Sequence, residues 1–134
     1  MKNVESKMLI QPVSETKDQI RRASARISSA FLELLEQQFP VDSQHPIGLR
    51  YASQFADHLS IHVNHLNRAI KQNLNKTTTQ VISERILHEA KMLLLHRDLS
   101  VTDIAYALGF TEVTHFNNFF KKRTQISPTK FRVV

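Results

Sequence analysis

No cysteine occurs in the 134 residues, so a disulfide framework and a thiolate metal site are both excluded. Glycine (2) and proline (4) are scarce. With few β-branched runs, that scarcity favours an all-α fold over one built from turns and strands. Long apolar runs are missing too. The longest is "MLLL" at Met92–Leu95, far short of the length needed to cross a bilayer. The N-terminal "MKNVESKMLIQPVSETK" lacks the apolar centre of a signal peptide. The reading that follows is a cytoplasmic protein with no membrane partner. Acidic residues are outnumbered, 12 against 18 basic, which leaves a net charge of +6 and suggests a polyanionic partner. Hydrophobic residues still make up 41%, enough for a packed core and too many for a disordered chain.

What is present is helical periodicity. Residues 1–19 read as a polar tail or linker, with Pro12 and no sustained period. A leading helix is expected over 20–39, with Ile20, Ala23, Ile27, Phe31, Leu34 and Leu35 as its apolar stripe. Glu33 and Glu36, with Arg21, Arg22 and Arg26, read as its solvated face. A loop follows, punctuated by Pro40, Pro46 and Gly48. Short helices are expected within 49–74, broken at Ser60, and a longer one over 79–96 after the polar connector "NKTTT". The segment 100–132 opens with Ser100 as cap and Asp103 three residues on, the spacing of a capping box, with Leu99 and Ile104 placed as a hydrophobic staple. Gly109 breaks that helix, and "EVTHFNNFFKKR" forms the next. Ser127 and Pro128 start a last short helix.

The two helix-break-helix segments repeat each other at an offset of about fifty residues. "FADHLSI" at Phe55–Ile61 aligns with "IAYALGF" at Ile104–Phe110, so Ala56 pairs with Ala105 and Ser60 with Gly109. One extra residue follows in the second copy. "LNRAIKQ" then aligns with "FNNFFKK", and "KTTTQV" with "ISPTKF". A small alanine in the first helix lets two helices cross closely, and a break residue tolerant of a left-handed conformation turns the chain tightly. Val113, Phe116 and Phe120 recur at i, i+3 and i+7 and make the core face of the second helix, with Phe119 partly exposed. The opposite face carries Thr114, Asn117, Asn118 and Lys121, matched in the first unit by Asn64, Asn67, Arg68 and Lys71. Arg and Asn are the side chains that read guanine and adenine edges in the major groove. Lys71, Lys121, Lys122 and Arg123 sit where phosphates would be met, and Thr111 is placed with them. Each unit therefore has the layout of a helix-turn-helix, and the helix over 79–96 would join the two rigidly.

Over Leu49 to Arg132 the chain resembles the C-terminal DNA-binding domain of AraC/XylS-family transcriptional regulators. "SVTDIAYALGFTEVTHFNNFFKKRTQISPTKFR" carries the resemblance most clearly, and "LNRAIKQ" and "ERILHEAKMLLL" extend it. The resemblance implies two helix-turn-helix motifs, double-stranded DNA binding and control of transcription. It places base contacts on Asn64, Asn67 and Arg68, and on Val113, Thr114 and Asn118. RNA polymerase and an N-terminal sensor domain are the further candidate partners it implies, with the chain as the C-terminal piece of a longer, nucleoid-associated regulator. Departures from the pattern are Asn118 in place of arginine, His115 in place of tyrosine, Asn75 and Gln125 in place of glycine, and Thr78 in place of proline. They bear on base preference more than on fold.

Other classes stay open at this level. A basic architectural or RNA-binding module would show steep salt dependence and little sequence preference. A protein-interaction adaptor would use the same helices to dock a polymerase subunit. An enzyme is not expected: no nucleophile–base pair or glycine-rich phosphate loop is present. No cofactor is expected. His58, His62 and His65 read as surface or DNA-facing imidazoles rather than metal ligands, because no carboxylate stands beside the latter two and the break at Ser60 separates His58 from them.

Overall fold

A computed structural model describes residues 13–96 and 98–133, with side chains described from residue 17. Among these residues there are seven helices: α1 (Val13–Gln37), α2 (Ala52–His58), α3 (Val63–Leu74), α4 (Thr78–Leu95), α5 (Val101–Ala107), α6 (Val113–Thr124) and α7 (Pro128–Val133). None of them is long and apolar enough to cross a membrane. The first helix begins earlier than its apolar period suggests. It starts at Val13, inside the segment read as a tail, and residues 1–12 lie outside the described residues. Ile20, counted in its apolar stripe, is 49% exposed. The buried stripe is instead Ser24, Ser28, Phe31 and Leu35.

That stripe packs chiefly along α3. Ser24 donates to the Gln72 side chain. Ser28 donates to the Ala69 carbonyl at 3.2 Å. The Phe31 and Phe55 rings meet edge-on at 5.1 Å. Two small hydroxyls let the helix axes approach while satisfying their own polar atoms. The other buried residues run without interruption from α1 through both helix-break-helix segments, so the two units share one core.

Helix ends follow local sequence closely. Thr77 and Gln80 form a reciprocal capping box on α4: Thr77 Oγ1 accepts from the Gln80 amide at 3.0 Å and Gln80 Oε1 accepts from the Thr77 amide at 2.8 Å. The helix therefore starts one residue before the expected 79 and takes Thr78 out of the connector. Of the capping box expected at α5, Ser100 Oγ accepts from the Asp103 amide at 3.0 Å. Ser127 Oγ accepts from the Lys130 amide at 3.1 Å at the start of α7. The last carbonyls of α4 are met from α7, where Arg132 donates to Leu93, Leu94 and His96 at 3.4, 2.9 and 3.1 Å. A cation there also suits the helix dipole.

The irregular segment between α1 and α2 is held at three points. Gln38 Oε1 accepts from the Gly48 and Leu49 amides, and its Nε2 donates to the Leu49 carbonyl. The Val41 amide donates at 3.0 Å to Glu89, a carboxylate on α4 with only 5% exposure. Gln54 Oε1 accepts from the Arg50 and Tyr51 amides. Glu36, placed above on a merely solvated face, instead ties α1 to α4. Arg85 donates to both of its oxygens, at 2.8 and 3.0 Å, and also reaches Glu89 at 3.3 Å. The hydrogen bond from Arg85 holds the Glu36 carboxyl below its usual range, against the opposing effect of burial. The same bond raises the Arg85 guanidinium.

Glu89→Ala leaves the buried Val41 amide without an acceptor and half-releases Arg85. The expected loss is about 3 kcal/mol of unfolding free energy, read from urea titration. A loss under about 0.5 kcal/mol, the range of ordinary surface changes, would contradict this assignment of Glu89.

Candidate nucleic-acid interface

Each break is a Schellman turn, and the two are built alike. In the first unit the Ile61 amide donates to the Ala56 carbonyl at 3.0 Å and the Ser60 amide to the Asp57 carbonyl at 3.0 Å. In the second, Phe110 donates to Ala105 at 3.0 Å and Gly109 to Tyr106 at 3.0 Å. These are the paired bonds that close a helix through a left-handed residue. Ser60 (φ 59°) and Gly109 (φ +89°) are those residues. Ala56 and Ala105 are 1% and 0% exposed, so the second helix of each unit crosses against a methyl group.

The helices that follow bury equivalent faces. Leu66 and Ile70 of α3 and Phe116 and Phe120 of α6 are all fully buried. Both helices end on a left-handed residue, Asn75 (φ 56°) and Gln125 (φ 73°), whose amides donate to Lys71 and Lys121 carbonyls at 3.1 and 2.8 Å. Gln125 thus holds a conformation that its side chain does not favour. At the start of α3, His62 Nδ1 accepts from the Asn64 amide at 3.2 Å, so this imidazole serves as a helix cap. Glu112 precedes α6 with no side-chain cap bond.

Two matching stripes remain in solvent. On α3, Asn64, Arg68 and Lys71 are exposed; on α6, Thr114, Asn118 and Lys121 are. Each stripe has the i, i+4, i+7 spacing of one helix face. Thr111 and Lys122 are exposed beside the second stripe. Three expected contact residues are placed differently. Asn67 is exposed, yet its Oδ1 accepts from the hydroxyl of buried Thr78 at 2.8 Å, which fixes its amide at the edge of the face. This gives Thr78, found where the resembling family has proline, a role that proline could not fill. Val113 is half-buried and packs against the core, in keeping with its i, i+3, i+7 spacing with Phe116 and Phe120. Arg123 folds back on its own helix: its guanidinium lies 4.0 Å over the Phe119 ring and donates to the Phe119 carbonyl at 3.2 Å. It is exposed and borders a cleft beside α4 that Thr79, Ser83 and Glu84 also line. Beside the first stripe lies an open cleft of about 350 Å³ between Asn67, Arg68 and Lys71 and the start of α4 at Thr77–Thr79.

A family profile described as a helix-turn-helix domain matches residues 55–133. The chain belongs to the AraC-type helix-turn-helix family. It is 35% identical over 80 residues to the xylose operon regulatory protein of Haemophilus influenzae, a match covering 60% of this chain and 21% of that protein. The chain therefore spans about a fifth of that relative's length. It superposes on the C-terminal domain of the two-component response regulator yesN from Fusobacterium nucleatum with a TM-score of 0.66 and 27% identity, over 78% of this chain and 96% of that one. An AraC-type DNA-binding domain protein from Chromobacterium violaceum gives a TM-score of 0.64 at 21% identity, over 84% and 94% of the two chains, and at that identity shows the fold alone.

The AraC-type match begins at Phe55, so α1 and the segment from Val41 to Tyr51 lie outside it. Sequence reasoning missed what this segment does. Arg50 Nη1 donates to the Leu108 carbonyl at 2.6 Å, and its guanidinium lies 3.9 Å over the Phe110 ring. A Cβ on Gly109 would meet Ile47 Cγ2 at 2.9 Å and Arg50 Cδ at 3.3 Å. No local pattern signals a contact between residues this far apart in sequence.

The two break residues should therefore respond unequally. Gly109→Ala adds a methyl both to a strained φ and to a filled space, and is expected to cost about 2–3 kcal/mol. Ser60→Gly should change stability by less than about 1 kcal/mol. Urea unfolding of both variants checks this; equal and small effects would show that nothing crowds Gly109.

Proposed function

We propose that this chain binds double-stranded DNA in a sequence-specific way and thereby controls transcription, with α3 and α6 as recognition helices in successive major-groove segments. One observation carries the reading: two helices of equal build, each fixed by a Schellman turn, offer the same polar stripe to solvent from one shared core. In this reading Asn64 and Arg68 face bases from the first unit and Thr114 and Asn118 from the second. Asn67 joins them from its tethered position. Lys71, Lys121, Lys122 and Thr111 meet phosphates. Val113 supports α6 from within, and Arg123 lies off the reading face. Successive grooves on one face of B-DNA are about 34 Å apart, which sets the separation the two helices must span.

Family membership supports the reading, as does the likeness to a xylose operon regulatory protein of Haemophilus influenzae. The chemistry is recognition and not catalysis. RNA polymerase is the downstream partner in this reading, and effector sensing belongs to sequence outside the helix-turn-helix pair. A regulator of this kind works on the nucleoid, in the cytoplasm.

Selection of duplex sites from a random library, followed by binding at two salt concentrations, tests the proposal. Two enriched blocks about one helical turn apart are expected. No enrichment together with steep salt dependence would replace it with a non-specific binder; no binding at all would favour a protein-docking role. On the selected site, Arg68→Ala should cost ~1–3 kcal/mol and relax preference at one position. An unchanged base profile would remove Arg68 from the readout. Lys121→Ala should weaken all sequences about equally and reduce the salt slope by ~1. A loss that depended on sequence would contradict a phosphate role.

A further inference from the structure

Beyond the core they share, the two units are joined at two places. One joint is α4, continuous from the first unit to the second. The other is the segment before α2, which crosses the break of the second unit. There the Ile47 amide donates to the Ala107 carbonyl at 2.8 Å, and Arg50 donates to the next carbonyl, Leu108, at 2.6 Å. These are carbonyls at the end of α5, which have no partner within the helix. The Arg50 guanidinium also stacks on Phe110, the residue that completes the Schellman turn.

The placement is costly for a cation. Burial lowers the Arg50 pKa, and the ionisable groups that face it are Tyr51 and Arg123 rather than a carboxylate. A half-buried guanidinium without a counter-ion is kept here by the helix C-terminus and the aromatic face. The segment is fixed so that it can transmit that hold: Gln38 and Gln54 bind its backbone beside α1 and α2, and Glu89 binds it from α4. Gly109 admits it: a Cβ at this position would overlap Ile47 Cγ2 at 2.9 Å and crowd Arg50 Cδ at 3.3 Å. The first unit has serine at the matching break.

A connecting helix and an apolar core hold two bodies together, but apolar contacts are non-directional and oppose rotation about the helix axis only weakly. A directional contact away from that axis removes the rotation. We propose that Arg50 is a specificity-determining positioning residue: it clamps the first unit onto the break of the second, fixes the angle between α3 and α6, and so restricts the chain to one spacing between its two DNA blocks. The inference rests on the DNA-binding reading above for its consequence, but not for its geometry.

Two measurements separate these. The chain has no cysteine, so spin labels can be placed at His65→Cys on α3 and His115→Cys on α6. Pulsed dipolar spectroscopy of the full chain without DNA should give a narrow distance distribution with Arg50 and one about twice as broad with Arg50→Ala. Equal widths would overturn the clamp. The second measurement uses the selected two-block site with base pairs inserted between the blocks, each turning one block about 35° around the duplex. With Arg50, one insertion should lower affinity about 10-fold or more. With Arg50→Ala the penalty should shrink to about 2–3-fold, because the units can rotate to follow. Arg50→Lys, which keeps the charge and loses the planar stack, should fall between them and decides the matter if the alanine variant does not fold. Parallel spacing profiles would overturn the proposal. If the native chain binds no duplex, the DNA reading fails, and the label distances still decide the clamp.

Discussion

A left-handed residue at the end of α2 and another at the end of α5 set the direction of everything that follows. Each lets the chain leave one helix and enter the next at an angle that lays the second helix over a buried alanine. Without that reversal of hand, Leu66, Ile70, Phe116 and Phe120 would not reach the core, and the opposite stripes would not stand clear of it. The conformation is unfavourable for a residue with a Cβ by about 1–2 kcal/mol. Ser60, Asn75 and Gln125 all adopt it. The burial that each helix gains offsets this: a fully buried Leu, Ile or Phe side chain contributes roughly 1.5–3 kcal/mol, and α3 and α6 each place two such side chains with no exposure.

Around these turns the fold is organised to hold two equivalent units in one relation. The connecting helix is fixed at its start by the Thr77–Gln80 box and at its end by Arg132. Its middle is tied to α1 and to the following loop through Arg85, Glu36 and Glu89. The strap from Val41 to Tyr51 then closes the arrangement over the second break. Polar groups dominate these ties. They are directional, so they specify angle and register where an apolar core alone would tolerate sliding.

Much of this was legible in the sequence because it is local. Helical period, the capping residues Ser100 and Ser127, and the glycine at the second break have signatures within a few residues. The internal repeat extended that legibility, since one unit could be read against the other. Three features escaped for physical reasons. The start of α1 escaped because residues 17–22, the first whose side chains are described, are all exposed, Ile20 included. Arg123 was assigned by its place in a pattern, whereas its guanidinium lies over the Phe119 ring; Val113 packs against the core, as its spacing with Phe116 and Phe120 indicates. Glu89 and Arg50 act on residues 48 and 58 positions away, and no periodicity marks such pairs. Gly109 was read correctly as a turn residue but for half of its reason. Ser60 shows that the turn alone does not require glycine; the strap lying against it does.

The functional account depends on both units touching one duplex at once. Hydroxyl-radical footprinting of the chain on a selected site tests this most directly. The account predicts two protected patches on one face of the duplex, centred about 10 base pairs apart, with Arg68→Ala weakening one patch and Asn118→Ala the other. A single patch of one half-site's width, unchanged by Asn118→Ala, would contradict it and leave α6 as scaffold.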